Sequence, residues 1–115
     1  MNMPPQRFIE VLTRWREIFL AGVHLPVMGV TEAELRSIKV PTIVIPGNDK
    51  VHSSASGRTA HRLIPGSALH ELPIEDQDVP LIPFEQWGPY EDEIARVFVE
   101  FMRRVTGSGA TTGQA

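Results

Sequence analysis

The chain has 115 residues, a formal charge of −3 at pH 7 and 42% hydrophobic residues, which suits a single globular domain. The slight excess of acidic residues and the lack of any basic run argue against a nucleic-acid partner. The absence of cysteine excludes disulfides and thiolate metal sites. No apolar run is long enough to cross a bilayer and no secretory signal is recognisable, so we expect no membrane partner and a cytoplasmic location.

The N-terminal segment has the spacing of an amphipathic helix. Its large apolar residues recur every three or four positions, at Phe8, Leu12, Trp15 and Phe19. This period predicts a helix over about residues 5–22, with Trp15 on its apolar stripe and in the core. A loop follows, and we take residues 1–30 as an N-terminal unit of helix and loop.

The next part of the chain predicts a strand–helix–strand unit. A short helix begins at a capping box formed by Thr31 and Glu34. Residues 42–45 are a β-branched run without polar alternation, as in a strand buried on both faces of a parallel sheet. A weakly helical stretch at residues 54–63 and a second strand at residues 68–72 complete the unit. The fold class is therefore α/β, with two parallel strands flanked by amphipathic helices.

The last part of the chain combines a proline-rich loop with a clear helix. Residues 73–89 contain four prolines and no regular period, which predicts a functional or covering loop. An apolar stripe predicts a closing helix over about residues 90–105. Small polar residues over 106–115 predict a disordered tail. Residues 31–105 then form one βαβα unit.

Three segments of the chain resemble consecutive parts of the α/β-hydrolase family. Residues 38–49, IKVPTIVIPGND, resemble that family's penultimate strand, which leads to the acid of its catalytic triad. Residues 63–68 resemble the turn that opens its last strand, and residues 91–102 resemble its closing helix. The resemblance implies the C-terminal portion of such a protein, with residues 1–30 as the remnant of a cap. It also implies a parent that hydrolyses an ester or a related carbon–heteroatom bond.

The chain departs from the family's pattern at each catalytic position. The nucleophile elbow G-x-S-x-G does not occur in the sequence. No histidine follows Glu71, although the family places its catalytic histidine between the last strand and the closing helix. Lys50 stands at the usual position of the acid, one residue after Asp49. These departures predict that the chain alone is catalytically inert as a hydrolase.

Asp49 and His52 are the candidate catalytic residues. Asp49 ends a predicted strand, where α/β folds place their ligands, and could orient and stabilise a histidine. His52 lies three residues later and could serve as a general base. The alternative is an ordinary turn at Asp49, with the neighbouring serines acting as helix caps. These serines are Ser53, Ser54 and Ser56.

Aromatic residues near the closing helix are candidate substrate-binding residues. Phe84, Trp87 and Tyr90 either border a site or pack the loop against the fold. A metal site needs three or four converging ligands, and the acids Glu75 and Asp76 are typical of a solvated loop instead. We therefore expect neither a metal nor another cofactor.

The predicted sheet leaves its edges without partners. Two parallel strands cannot pair their own outer edges, so we expect either a missing N-terminal domain or a second copy to cover them. Three functions remain open. The chain is a hydrolase-family fragment that is inert alone, a non-enzymatic module that forms homodimers, or an enzyme that uses Asp49 and His52 at a dimer interface.

Overall fold

The structure is a computed structural model that describes residues 3–27 and 29–114, with side chains described up to residue 107. The helices are α1 (Pro5–Ala21), α2 (Glu32–Arg36), α3 (Ser54–Leu63), α4 (Phe84–Trp87) and α5 (Glu91–Gln114). The strands are β1 (Ile43–Val44) and β2 (Ala68–Leu69). A 3-10 turn at Gly88–Tyr90 joins α4 to α5.

Helix α1 begins at a proline and ends next to Gly22, where the backbone approaches the backbone of Gly29. Pro5 occupies the first turn, where a missing N–H costs nothing because that group has no partner within the helix. The chain then doubles back, and a Cβ on Gly22 would come within 2.8 Å of the Gly29 Cα. The predicted helix over residues 5–22 is confirmed, and Gly22 is required by this close approach.

Helix α2 begins at the predicted capping box. The Thr31 hydroxyl accepts a hydrogen bond from the Glu34 amide, and the Glu34 carboxylate accepts one from the Thr31 amide, each at 3.1 Å. These two bonds satisfy amides that the first helical turn leaves free. The helix places Leu35 in the core, where its exposed fraction is 4%.

The two strands pair in parallel around α3, which confirms the α/β class at the level of a strand–helix–strand unit. Ile43 lies opposite Ala68, and Val44 lies opposite Leu69. The strands are shorter than predicted, because Pro46 and Pro73 bound the segments and lack the N–H that a longer ladder needs. Residues 42–45 are half-buried instead of buried on both faces, because each strand has one neighbour within the described chain.

The fully buried apolar core is small. Among the described residues, it consists of Leu35, Leu63 and Ile64, which brings α2 against the C-terminal end of α3. Partly buried residues pack around these three, namely Val27, Val30, Ile38 and Ala60. Most of the remaining large apolar side chains are at least one-third exposed.

The prediction that the α1 stripe lies in the core is wrong. Trp15 is 65% exposed, and the helix has no buried residue. Trp15 packs only along its own helix, against Phe19, with ring centroids 5.8 Å apart. The period identifies an apolar face but not what covers it, and no described element covers this one. The radius of gyration is accordingly 18.0 Å, whereas a compact domain of about 100 residues has about 13 Å.

The last helix extends beyond the predicted closing helix. Helix α5 is assigned from Glu91 to Gln114, and the predicted disorder of residues 106–115 stays a prediction. The Thr106 hydroxyl donates to the Met102 carbonyl at 2.7 Å, and no proline interrupts the segment. The sequence lacks an apolar period there, but a helix already formed can be extended at little further cost. Ala115 lies outside the described residues.

Removing the most deeply buried side chain tests the position of the core. Leu63→Ala should lower the free energy of unfolding by about 2–5 kcal/mol, because it deletes buried methyl groups and leaves a cavity. Urea denaturation followed by circular dichroism measures the change. Val40→Ala is the control, since Val40 is 68% exposed, and it should cost less than about 0.5 kcal/mol. Equal losses in the two variants would contradict the assigned core.

Candidate functional site

The turn after β1 brings Asp49 and His52 together. The Asp49 amide donates to the His52 carbonyl at 3.3 Å, and the His52 amide donates to the Asp49 carboxylate at 2.7 Å. Gly47 makes this closure possible, because a Cβ at that position would collide with the Cβ and the carbonyl oxygen of His52. The predicted pairing of Asp49 with His52 is therefore built by the local backbone.

The Asp49 carboxylate accepts three hydrogen bonds. Its Oδ1 accepts from the His52 amide and lies 3.1 Å from the His52 Nδ1, and its Oδ2 accepts from the Ile82 amide at 3.0 Å. Asp49 is only 8% exposed. Burial acts to raise the pKa of Asp49, but the two amide bonds and the nearby imidazole outweigh it and hold the pKa below its ordinary value.

The Asp49 contact determines how the His52 ring is protonated. An ionised carboxylate can only accept, so the Nδ1 that faces it carries the proton. In the neutral ring, Nε2 then holds the lone pair and can act as a base or a hydrogen-bond acceptor. No described protein group bonds Nε2, and the His52 side chain is 62% exposed.

A covering loop is bound to the Asp49 turn. Main-chain hydrogen bonds of 2.9 to 3.2 Å join the two segments, from Gln77 to Asn48, from Lys50 to Val79 and from Val51 to Pro80. Together with the Ile82–Asp49 bond, they fix the loop over the end of β1. The long loop predicted at residues 73–89 is thus a covering segment, and its last part forms α4 and the 3-10 turn.

Asp76 extends this polar network, which sequence reasoning missed. Its carboxylate accepts from the Ser54 hydroxyl at 2.7 Å and from the Asn48 amide group at 3.0 Å. These bonds hold the pKa of Asp76 below its ordinary value. Ser54 donates its hydroxyl to Asp76 and is the first residue of α3, after the N-cap position. Ser53 occupies the N-cap position, but its side chain makes no capping hydrogen bond.

The three candidate aromatic residues have different positions. Trp87 lines an apolar cleft of about 360 Å³ together with Asp49 and His52. Phe84 packs edge-on against Trp87, with ring centroids 4.9 Å apart, and so supports that wall from outside the cleft lining. Tyr90 lines a separate depression beside Gln77 and Gln86. The other apolar residues that line the first cleft are Pro46, Leu72, Ile74, Leu81, Ile82 and Ile94.

His70 anchors the closing helix beside this cleft. Its Nε2 lies 3.1 Å from the Glu93 carboxylate on α5, and both side chains are about 70% buried. His70 therefore faces a neighbouring element, the closing helix. The contact fixes α5 next to the residue that contributes Ile94 to the cleft wall.

The arrangement provides a base and an apolar surface, but no nucleophile. Among the described side chains, no serine hydroxyl hydrogen-bonds to the His52 ring. The same part of the chain contains no group of three or more metal-ligating side chains placed to hold an ion. None of its helices is long and apolar enough to cross a membrane.

The described fold is a mixed α/β unit with an acid–histidine pair at the end of a parallel strand. No protein-family model matches the chain, and neither a curated protein nor a solved structure matches it.

The hydrogen bonds to Asp49 predict a loss of stability in acid. A carboxyl group whose pKa is lower in the folded than in the unfolded chain stabilises the fold at pH values above its pKa in the unfolded chain, which is about 4. That contribution is lost as the pH falls through the lower folded value. We expect the free energy of unfolding to fall below about pH 4, and Asp49→Asn to make this fall shallower, with Asp76 responsible for part of the remainder.

Chemical denaturation at a series of pH values from 7 to 2 measures this dependence. Asp78→Asn is the matched control, because the Asp78 side chain is 92% exposed. The control should keep the wild-type profile. The assigned role of Asp49 is wrong if Asp49→Asn and Asp78→Asn give the same profile.

Proposed function

We propose that the chain is the C-terminal part of an α/β-hydrolase-like protein and contributes an acid–histidine pair to its site. The observation that carries the proposal is the position of Asp49, which ends a parallel strand and holds the Nδ1 of His52 at 3.1 Å. Ligand sites in open parallel sheets lie at the carboxyl ends of the strands. The segments that resemble the hydrolase family lead to this same position.

The pair has the chemistry of a general base with its orienting acid. Asp49 keeps the proton on Nδ1 and stabilises the imidazolium that forms when Nε2 accepts a proton. In a hydrolase, that proton comes from a nucleophile, which the described side chains do not supply. The site on this chain is consequently half of a hydrolytic site, and the nucleophile has to come from another polypeptide segment.

The gene provides a direct test of this proposal. Sequencing upstream of the codon for residue 1 should find an in-frame G-x-S-x-G about 100–150 residues earlier, which is the span of a typical domain. A stop codon that closes the upstream frame before any such motif would contradict the proposal.

A turnover assay tests whether the chain alone is inert. We expect the chain to hydrolyse 4-nitrophenyl acetate without a burst and no faster than His52→Ala does, because a base without a nucleophile forms no acyl intermediate. His24→Ala controls for surface histidines, since His24 is exposed. A stoichiometric burst that His52→Ala abolishes would instead favour the self-contained enzyme.

A second candidate function is a module that forms homodimers. The exposed apolar face of α1 favours it, because contiguous apolar surface of this kind marks interaction sites. Trp15, Ile18 and Leu12 are each at least half exposed. The parallel pair β1–β2 also leaves two sheet edges without a strand partner in the described chain.

Light scattering on a sizing column distinguishes the two candidates. A homodimer should have twice the mass of the 12.8 kDa chain, and Trp15→Glu should shift it toward the monomer because a charge then enters the apolar contact. Thr13→Glu adds the same residue on the opposite face of α1 and should leave the mass unchanged. A monomeric wild-type chain would exclude the homodimer, and an unchanged mass in Trp15→Glu would exclude this face.

A further inference from the structure

The cleft beside Asp49 and His52 has a marked division between apolar and polar lining. Trp87, Leu72 and Ile74 are among its apolar walls, and its polar residues are confined to the turn after β1. Ligand sites are commonly largely apolar clefts of about 300–1,000 Å³ with a few polar groups that fix orientation. The cleft, at about 360 Å³, lies at the lower end of that range.

The volume indicates how large a group the cleft can surround. A closed apolar cavity of about 150 Å³ accommodates benzene. The cleft has more than twice that volume, so it suits one aromatic ring with a short alkyl substituent. The flat indole of Trp87, supported edge-on by Phe84, provides a surface for such a ring.

The polar end of the cleft includes a hydrogen-bond acceptor on His52 that has no partner among the described groups. The Asn48 amide group donates to Asp76, and the Asp49 carboxylate is occupied by its three donors. The His52 side chain lines the cleft and is 62% exposed, and its Nε2 carries a lone pair in the neutral ring because Nδ1 holds the proton against Asp49. An anionic ligand would meet a carboxylate and a lone pair, whereas a hydroxyl could donate to Nε2.

We propose that this cleft binds a small, uncharged aromatic molecule with a hydroxyl group, whose ring packs against Trp87 and whose O–H donates to the Nε2 of His52. The inference rests on the proposed function in one respect, since it places a ligand in the same cleft. It concerns binding and not turnover, and the experiment is designed accordingly.

Two matched ligands isolate the hydroxyl. 4-Propylphenol has an O–H that can donate, and 4-propylanisole has the same ring and alkyl chain but a methyl ether in its place. Titration of the ¹⁵N-labelled chain, followed by amide and imidazole NMR signals, should show tighter binding of the phenol. The expected preference is about 2–10-fold, which corresponds to one hydrogen bond worth about 0.5–1.5 kcal/mol net. The signals of residues 47–52 and the indole of Trp87 should shift.

Two variants separate the parts of the cleft. His52→Ala should lower the affinity for the phenol to that for the ether. Trp87→Ala should lower the affinity for both ligands. Amide spectra of the free variants report whether the fold is retained. The comparison of the phenol with the ether on the wild-type chain does not depend on the folding of a variant.

The proposal is overturned if the wild-type chain binds the phenol and the ether equally, if it binds neither, or if the preference survives in folded His52→Ala. None of these results bears on the upstream G-x-S-x-G motif. A closed upstream frame with a retained phenol preference would remove the hydrolase proposal and keep the ligand site.

Discussion

The three hydrogen bonds that Asp49 accepts hold together the region on which the candidate site depends. Two of them close the turn after β1 onto His52, and the third fixes the amide of Ile82, which is 33 positions further along the chain. A buried carboxylate that lost these donors would pay the full cost of desolvation. The same group therefore ties the covering loop to the strand end, sets the tautomer of the neutral His52 ring and forms one end of the cleft.

The network around Asp49 explains how a fold with a small core can still fix a site. Leu35, Leu63 and Ile64 form the fully buried core, which lies around the C-terminal end of α3. The cleft lies at the other end of the strand–helix–strand unit, after β1, and its walls are held by polar bonds instead. Asp76 joins the start of α3 to the turn, and His70 joins the end of β2 to α5. Each contact positions a wall of the cleft.

The sequence predicted the features that depend on local chemistry. The capping box at Thr31, the helix over residues 54–63 and the proximity of Asp49 to His52 each follow from residues a few positions apart. The features that it could not predict depend on distant contacts. The Ile82 amide reaches Asp49 through an irregular segment rich in proline, and no period in the sequence specifies where such a segment lies.

The α1 helix illustrates the same limit in a different way. Its period correctly indicates an apolar face, because apolar residues spaced three or four positions apart lie on the same side of a helix. It does not record which surface covers that side, and Trp15 is exposed because the covering surface is not among the described elements. The hydroxyl of Ser54 shows the corresponding limit for polar groups. A serine near the start of a helix is often a cap, but Ser54 is the first helical residue after the N-cap and donates its hydroxyl to a carboxylate 22 residues away.

The exposed apolar face of α1, which suits a protein partner, and the cleft beside Asp49 and His52, which suits a small ligand, are separate surfaces. The exposed stripe of α1 contributes no residue to the cleft, whose lining runs from Pro46 to Ile94. A partner that covers Trp15 would therefore bury apolar surface without occupying the cleft, and it could do so whether it is a second copy or another segment of a longer protein. The His52 side chain is held by the Asp49 turn and the loop bound to that turn, and it lines the cleft and not the apolar face of α1. Association and ligand binding consequently require different substitutions to disrupt them, at Trp15 for the first and at His52 for the second.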